Sequence, residues 1–394
     1  VFAAAAVVTL PFVVALIALP ILTKGTLIPW HPITVDLDVY QFFARELLRG
    51  GDILTAREPR LGLPFTYPPF AALLFVPLAP LPQTLAQAGW ILLNVVALVL
   101  VIRRLGLHGW KLSLVTAVCI VFVEPVRATF TFGQVNLVLL ALVFLDLTRR
   151  HAHRLQGVAT GIAAAIKLTP GLFVIYLLFA RQWRAALTAV VSAVAVTAVT
   201  ALVLQRETFG YVRMLLAGEI WPGATYYVTN QSVLGSTTRL LGEGGAAPVV
   251  GIVLAVVVGL TAAYAAARWH RRGQLVLAVT LCGLGSLLAS PISWSHHWVW
   301  VVPLAATLFS SELTRVMRWN GAVFVVWTAL APFTWALPRG SQIELRYEPW
   351  QLAVSCLGTF LAVAFVVAAL VAALQPAEQL EREGRLRQRA NRHP

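Results

Sequence analysis

The chain of 394 residues is 59% hydrophobic and only 12% charged, with 30 Lys/Arg against 16 Asp/Glu and a formal net charge of +14. That composition excludes a soluble globular protein, because one core cannot hide so much apolar surface. The positive charge does not point to nucleic acid: 18 of the 30 Lys/Arg lie in short gaps between apolar runs or in the C-terminal tail, as the positive-inside rule expects of a cytoplasmic face.

Nearly uncharged runs long enough to cross a bilayer recur from end to end, so the expected fold class is an all-α polytopic membrane protein. A membrane β-barrel would instead show roughly ten-residue alternating segments. Val1–Leu22 reads as a first span rather than a cleaved signal. A start at Val1 instead of methionine leads to the expectation that an N-terminal piece precedes it. Residues 23–66 form a first outer loop, in which Gln41–Leu48 has the spacing of a short interfacial helix. Residues 67–82 are apolar but short and proline-rich, so they are expected to dip or cross only partly.

Spans are then expected at 85–102, 112–127, 134–148, 156–180, 184–204, 247–267, 274–290, 297–311, 320–337 and 351–374, for about 11–13 crossings. The run 156–180 is interrupted at Lys167 and Pro170, which predicts two half-crossings. The basic gaps are Arg103–Lys111, Arg149–Arg154, Arg181–Arg184, Arg268–Arg272 and Arg315–Arg318, with anionic headgroups as their partners. Residues 205–245 form a second large outer loop. Residues 1–374 read as a single transmembrane domain, and 375–394 as a basic cytoplasmic tail. Cys119, Cys282 and Cys356 lie in apolar runs without ligand spacing and read as buried, unpaired thiols.

The unusual polar groups all fall on the outer side: Asp36 and Asp38, Tyr67, Glu124 and Arg127, Gln134 and Asn136, Lys167, Asn230 and Gln231, and Trp294 with His296 and His297. Carboxylate, imidazole and amide suit sugar hydroxyls, aromatics suit sugar faces, and cations neutralise phosphate. Together they read as a site for a polar group carried on a lipid, whereas a transport path would place its charges near the midplane. Asp36 or Asp38 can be a general base, the pair can hold a divalent metal, or both can be helix caps. At i and i+2 on a helix the two would face apart. Asp36 is the better placed for an inner site, ahead of the amphipathic helix.

Each remaining group has a bland reading beside the functional one. His296 and His297 either contact substrate or pack, and no ligand spacing supports zinc. Lys167 is a phosphate partner or a snorkelling lysine. Arg127 is a ligand or the ion-pair partner of Glu124 one turn away. Gln134, Asn136, Asn230 and Gln231 contact substrate or tie helices together. Trp294, Trp298 and Trp300 read mostly as interfacial belt.

Taken in order, Val35-Asp36-Leu37-x-Val39-Tyr40, Phe65-Thr66-Tyr67-Pro68-Pro69, Glu124-Pro125-x-Arg127, Gly133-Gln134-x-Asn136, Lys167-Leu168-Thr169-Pro170, Asn230-Gln231-Ser232 and Ser290-Pro291-Ile292-Ser293-Trp294-x-His296-His297-Trp298 resemble the actinobacterial GT87 mannosyltransferases. The resemblance runs over roughly residues 35–370, and the His-His-Trp corner is its most specific part. It implies a GT-C fold in the plasma membrane, a periplasmic active site, and Asp36 as the base, with Asp38 at a variable position. It also implies a polyprenyl phosphate mannose donor, a mannosylated phosphatidylinositol acceptor, an α-1,2 linkage, and neither metal nor nucleotide-sugar cofactor. Two alternatives stay open: α-1,2-mannosyl branching of lipomannan or lipoarabinomannan, and a lipid-linked-sugar flippase.

Overall fold

The computed structural model describes residues 34–149, 153–219 and 224–375. The expected first span Val1–Leu22, Arg150 and the tail 376–394 lie outside the described residues. The fold is all-α, 73% helical, with no strand among the described residues. In chain order the helices are α1 (Val35–Leu48), α2 (Pro69–Phe75), α3 (Gln83–Arg104), α4 (Gly109–Phe122), α5 (Glu124–Phe132), α6 (Asn136–Leu147), α7 (Val158–Ile166) and α8 (Leu172–Phe179). They continue with α9 (Trp183–Val203), α10 (Gln205–Ala217), α11 (Val233–Leu241), α12 (Ala247–Arg271), α13 (Leu275–Ala289), α14 (Val301–Thr307), α15 (Arg315–Leu330) and α16 (Pro349–Leu374).

Among the described residues α3, α9, α12 and α16 are long and apolar enough to cross a membrane alone. Their 21 to 26 residues rise roughly 32–39 Å, against a hydrocarbon core of about 30 Å. α4 and α5 make a fifth span if taken together, bent by 74° at Val123. The protein is a multi-pass membrane protein. The other expected crossings fall on shorter or broken helices. Residues 67–82 hold α2 and a 3₁₀ turn, Val76–Leu78. The run 156–180 breaks into α7, an extended Lys167, a 3₁₀ turn at Thr169–Gly171 and α8, as its proline demands. The expected span 297–311 is instead a 3₁₀ helix, Ser295–Trp300, followed by the seven residues of α14.

Contacts divide the chain into two compact units. The first comprises residues up to Val174, Trp183–Ala224 and Ser295–Val299. Within it α7 and α9 approach closely because Gly157 and Gly161 face them: a Cβ on either would sit 2.2 Å from a carbonyl oxygen of Ala185 or Ala189. α6 and α7 run antiparallel and are clamped at one end by Asp146. Its buried carboxylate accepts from the backbone amides of Gly157 and Thr160 and, at 2.7 Å, from the Thr160 hydroxyl, capping the otherwise unsatisfied start of α7. Arg104, at the end of α3, reaches the Thr148 hydroxyl at 3.0 Å and its carbonyl, so two basic segments share that end of the bundle.

The second unit comprises Ile175–Gln182, Thr225–Trp294 and the residues from Trp300 onward. Here the basic gap at the end of α12 has a protein partner: Arg268 and Arg272 donate to the carbonyls of Ala372 and Ala373, satisfying the C-terminus of α16. Trp300 lies flat on α13, where only Gly283 leaves room; a Cβ there would be 2.2 Å from the indole. Trp298 is buried in the first unit. The belt reading of Trp298 and Trp300 is therefore corrected: packing beside glycine or in a helical core gives an indole more buried area than an interface does. The three cysteines are free and buried.

Candidate active site

α1 begins earlier than its hydrophobic spacing shows, so Asp36 and Asp38 occupy its first turn rather than the loop before it. Acids there favour the helix start through the macrodipole. The position of α1 is set by Gly133, the C-cap of α5, at φ 71°. A Cβ on Gly133 would lie 2.7 Å from the Leu37 Cβ, so glycine serves both the left-handed turn and the close approach of α1. The Thr34 amide also donates to Thr131 O at 3.0 Å. This docking brings the turn of Asp36 against Gln134, the residue that follows the glycine.

Asp36 retains some accessible surface although protein surrounds it. It accepts a hydrogen bond from the Gln134 side chain. The amide orientation is enforced from behind: Gln134 Oε1 accepts from Tyr67 at 3.1 Å and Tyr40 at 3.3 Å, and the two hydroxyls lie 3.0 Å apart. With the oxygen so occupied, the nitrogen is left for the carboxylate. Burial pushes the Asp36 carboxyl up to about 6, against the lowering effects of the Gln134 hydrogen bond and the Lys167 charge. That suits a base working near neutrality. Tyr40 closes the Val35–Tyr40 motif and has no site role from the sequence, yet it lies at i+4 from Asp36, on the same helix face.

Lys167 turns inward because the break after α7 gives it an extended backbone. Its ammonium lies 3.0 Å from His297 Nε2, 3.2 Å from Asn136 Oδ1, and 5.5 Å from the centre of the Tyr67 ring. A lysine has no acceptor, so His297 Nε2 must accept and its proton sits on Nδ1, which is buried with no protein partner. His296 Nε2 is likewise buried and unpartnered. The two rings meet edge-on, with centroids 4.7 Å apart. Their backbone is held by Asn136 Nδ2 and the Thr129 hydroxyl, both donating to His296 O, and by Ser295 Oγ donating to the buried Glu124 Oε1 at 2.9 Å. Asp36, Tyr67, Gln134, Asn136, Lys167, His296 and His297 thus belong to one unit, linked by short contacts.

Other expected residues do different work. Arg127 does not close an ion pair with Glu124, whose second oxygen is unpartnered; it donates to Val121 O at 3.1 Å, across the bend between α4 and α5. A freed carbonyl at a helix break is the nearer and better-aligned acceptor. Asp38 faces away from Asp36, paired with Arg60 at 2.8 Å and hydrogen-bonded by Gln83. No group of three or more His, Cys, Asp or Glu able to hold a metal occurs among the described residues.

Asn230, Gln231 and Trp294 belong to the second unit. Asn230 is fully engaged with backbone: it donates to Thr225 O and Pro291 O and accepts from the Ser293 and Ser232 amides. No valence of its amide is left for a ligand. Gln231 donates to Val228 O and Ser355 O, leaving its buried oxygen unpartnered. Trp294 pairs with Asn230 through an isolated bridge and meets Tyr227 edge-on at 6.0 Å.

The sequence model of glycosyltransferase family 87 matches residues 65–291. A Mycobacterium tuberculosis protein described as a polyprenol-phosphate-mannose-dependent alpha-(1-2)-phosphatidylinositol mannoside mannosyltransferase is 33% identical over 331 residues, 76% of this chain and 77% of the relative. A second M. tuberculosis protein, described as the corresponding phosphatidylinositol pentamannoside mannosyltransferase, is 34% identical over 366 residues, 86% of this chain and 83% of the relative. A Mycolicibacterium smegmatis protein with the first description is 30% identical over 334 residues, 77% of this chain and 76% of the relative. No solved structure matches the chain.

Proposed function

Because the chain belongs to glycosyltransferase family 87, we propose that it transfers mannose from polyprenyl phosphate mannose to the 2-hydroxyl of a mannose on a phosphatidylinositol mannoside. The observation that carries this reading is the contact chain from Asp36 through Gln134 and Tyr67 to Lys167 and His297. It sets a base with a near-neutral pKa in one cluster with a cation and an imidazole whose Nδ1 has no protein partner. The acceptor oxygen attacks the anomeric carbon, the bond from that carbon to the phosphate oxygen breaks, and the hydroxyl proton passes to Asp36. A β-linked donor then gives an α-1,2 linkage with inversion.

Phosphate leaves with its electron pair and needs no proton, so one carboxylate suffices, unlike the two of an inverting hydrolase. It does need positive charge, which Lys167 supplies through the N–H not committed to His297 and Asn136. No metal is required for this chemistry, and Asp36 and Asp38, facing apart, are poorly arranged to share one. We place the site at the periplasmic face and the C-terminus in the cytoplasm. In support, Asn136 and Lys167 meet at the end of the α6–α7 pair opposite the Asp146 clamp and the basic Arg149–Arg154 segment.

The test is transfer by the purified protein from polyprenyl phosphate mannose to tetramannosylated phosphatidylinositol, with linkage analysis, with and without chelator. One added α-1,2-mannose, insensitive to chelator, is expected. Activity with a nucleotide sugar but not the polyprenyl donor would overturn the reading. A second acceptor is favoured by the pentamannoside relative, as similar to this chain as the other; kcat/KM on tetra- and pentamannosylated lipids decides between them.

A further inference from the structure

We infer that a cleft on the face of α1 turned away from Asp36 is a second saccharide subsite, taking a neutral sugar ring of the acceptor that is not the one attacked. The inference rests on the proposed function for the identity of the acceptor and on geometry for the rest. The cleft has a volume of about 470 Å³ and is built entirely within the first unit. Its lining includes Asp38, Gln41, Phe42, Arg45, Arg60 and Gln87.

Three features define its ligand. Gln41 is 1% exposed; its amide nitrogen donates to Leu78 O and Leu81 O, while Oε1 has no partner. An orphaned acceptor at the edge of a cleft calls for a donor such as a sugar hydroxyl. The formal charges of the lining cancel, Asp38 and Glu58 against Arg45 and Arg60: Arg60 pairs with Asp38, Glu58 accepts from the Arg60 and Leu61 amides, and Arg45 donates to Ala79 O and Leu81 O. A balanced cleft discriminates against phosphate or carboxylate and favours a neutral polyol. Phe42 and Pro59 add an apolar wall of the kind that meets the C–H face of a pyranose. The donor carries a single sugar next to an anionic phosphate, so the occupant is a ring of the acceptor glycan. α1 thus carries the base on one face and an acceptor contact on the other.

The experiment uses the full chain with Gln41→Leu and Phe42→Ala, and Gln87→Ala as a third variant on the cleft rim that disturbs packing least. Binding of a linear α-mannotetraose is measured by saturation-transfer NMR in detergent, which needs no turnover. Transfer is measured in parallel on a tetramannosylated acceptor and on a monomannosylated one too short to reach both faces. The expected result is at least fivefold weaker tetraose binding and a matching rise in KM for the long acceptor. The KM values for the short acceptor and the donor stay within twofold. Equal effects on both acceptors, or unchanged tetraose binding in all three variants, would overturn the subsite. Tetraose binding that weakens in the variants while wild type transfers no mannose would uphold the subsite and overturn the transferase reading instead.

Discussion

Replacing Asp36 by Asn separates the chemical role of this carboxylate from its structural burden. In the folded protein the carboxyl titrates at about 6, against an ordinary value of 3.8, chiefly because burial disfavours the charge. The sign follows from linkage. Below about pH 4 both states are protonated and the group contributes nothing; between pH 4 and 6 the unfolded chain ionises first, so stability falls as pH rises; above pH 6 the full penalty persists. The difference corresponds to about 3 kcal/mol at most, and to about 1–2 kcal/mol once the solvent reaching this partly accessible carboxylate is counted.

Asp36→Asn keeps shape and still offers Gln134 an acceptor, so it should be more stable than wild type at pH 7 and equal to it at pH 4. The assay is thermal unfolding of both proteins in one detergent across that range. The Tm gap should open by roughly 1–2.5 °C on going to pH 7. Mannosyl transfer should fall at least about 10²–10⁴-fold in the variant, and wild-type transfer should decline as pH drops through about 6. Melting curves that stay parallel at every pH, or a variant retaining a tenth of wild-type turnover, would refute the assignment of Asp36 as a buried base.

Gln134→Leu removes the donor that favours the ionised carboxylate, so the acidic limb of the pH–rate profile should move upward by about one pH unit. The charged and titratable groups that influence Asp36 are Lys167, Tyr40 and Tyr67 beside it and, from the other face of the helix, Asp38, all retained in that variant, so an unmoved limb would sink the assignment. Lys167→Met should lower kcat by about 10²-fold or more through loss of charge on the departing phosphate; single-turnover rates with saturating donor check it. Gly133→Ala meets both the positive φ and the Leu37 Cβ at 2.7 Å. It should lower stability by about 2–4 kcal/mol and transfer with it, read as a drop in Tm that Leu37→Ala, which keeps the clashing Cβ, does not restore.

The amino-acid sequence by itself determined the membrane class and the break at Lys167 and Pro170, because each is a local matter of hydropathy or a missing amide; Asp36 stood out as a candidate base by its position and by the family resemblance. Even the divergence of Asp36 and Asp38 follows from helical spacing alone. Only the tertiary structure decided which polar groups share a site. Asn230 and Asn136 read alike along the chain, yet backbone saturates the first, whereas the second holds Lys167 at 3.2 Å. Arg127 and Lys167 are both cations beside a helix break, yet Arg127 closes its bend through Val121 O while Lys167 turns toward the imidazole. Tyr40 stood in the sequence only as the end of a motif, and nothing there marked the unpaired Gln41 oxygen, since neighbours on one helix acquire separate roles only when different elements cover its two faces. Hydrogen-bond valence is a property of the partners that folding supplies, and no spacing along a chain encodes it.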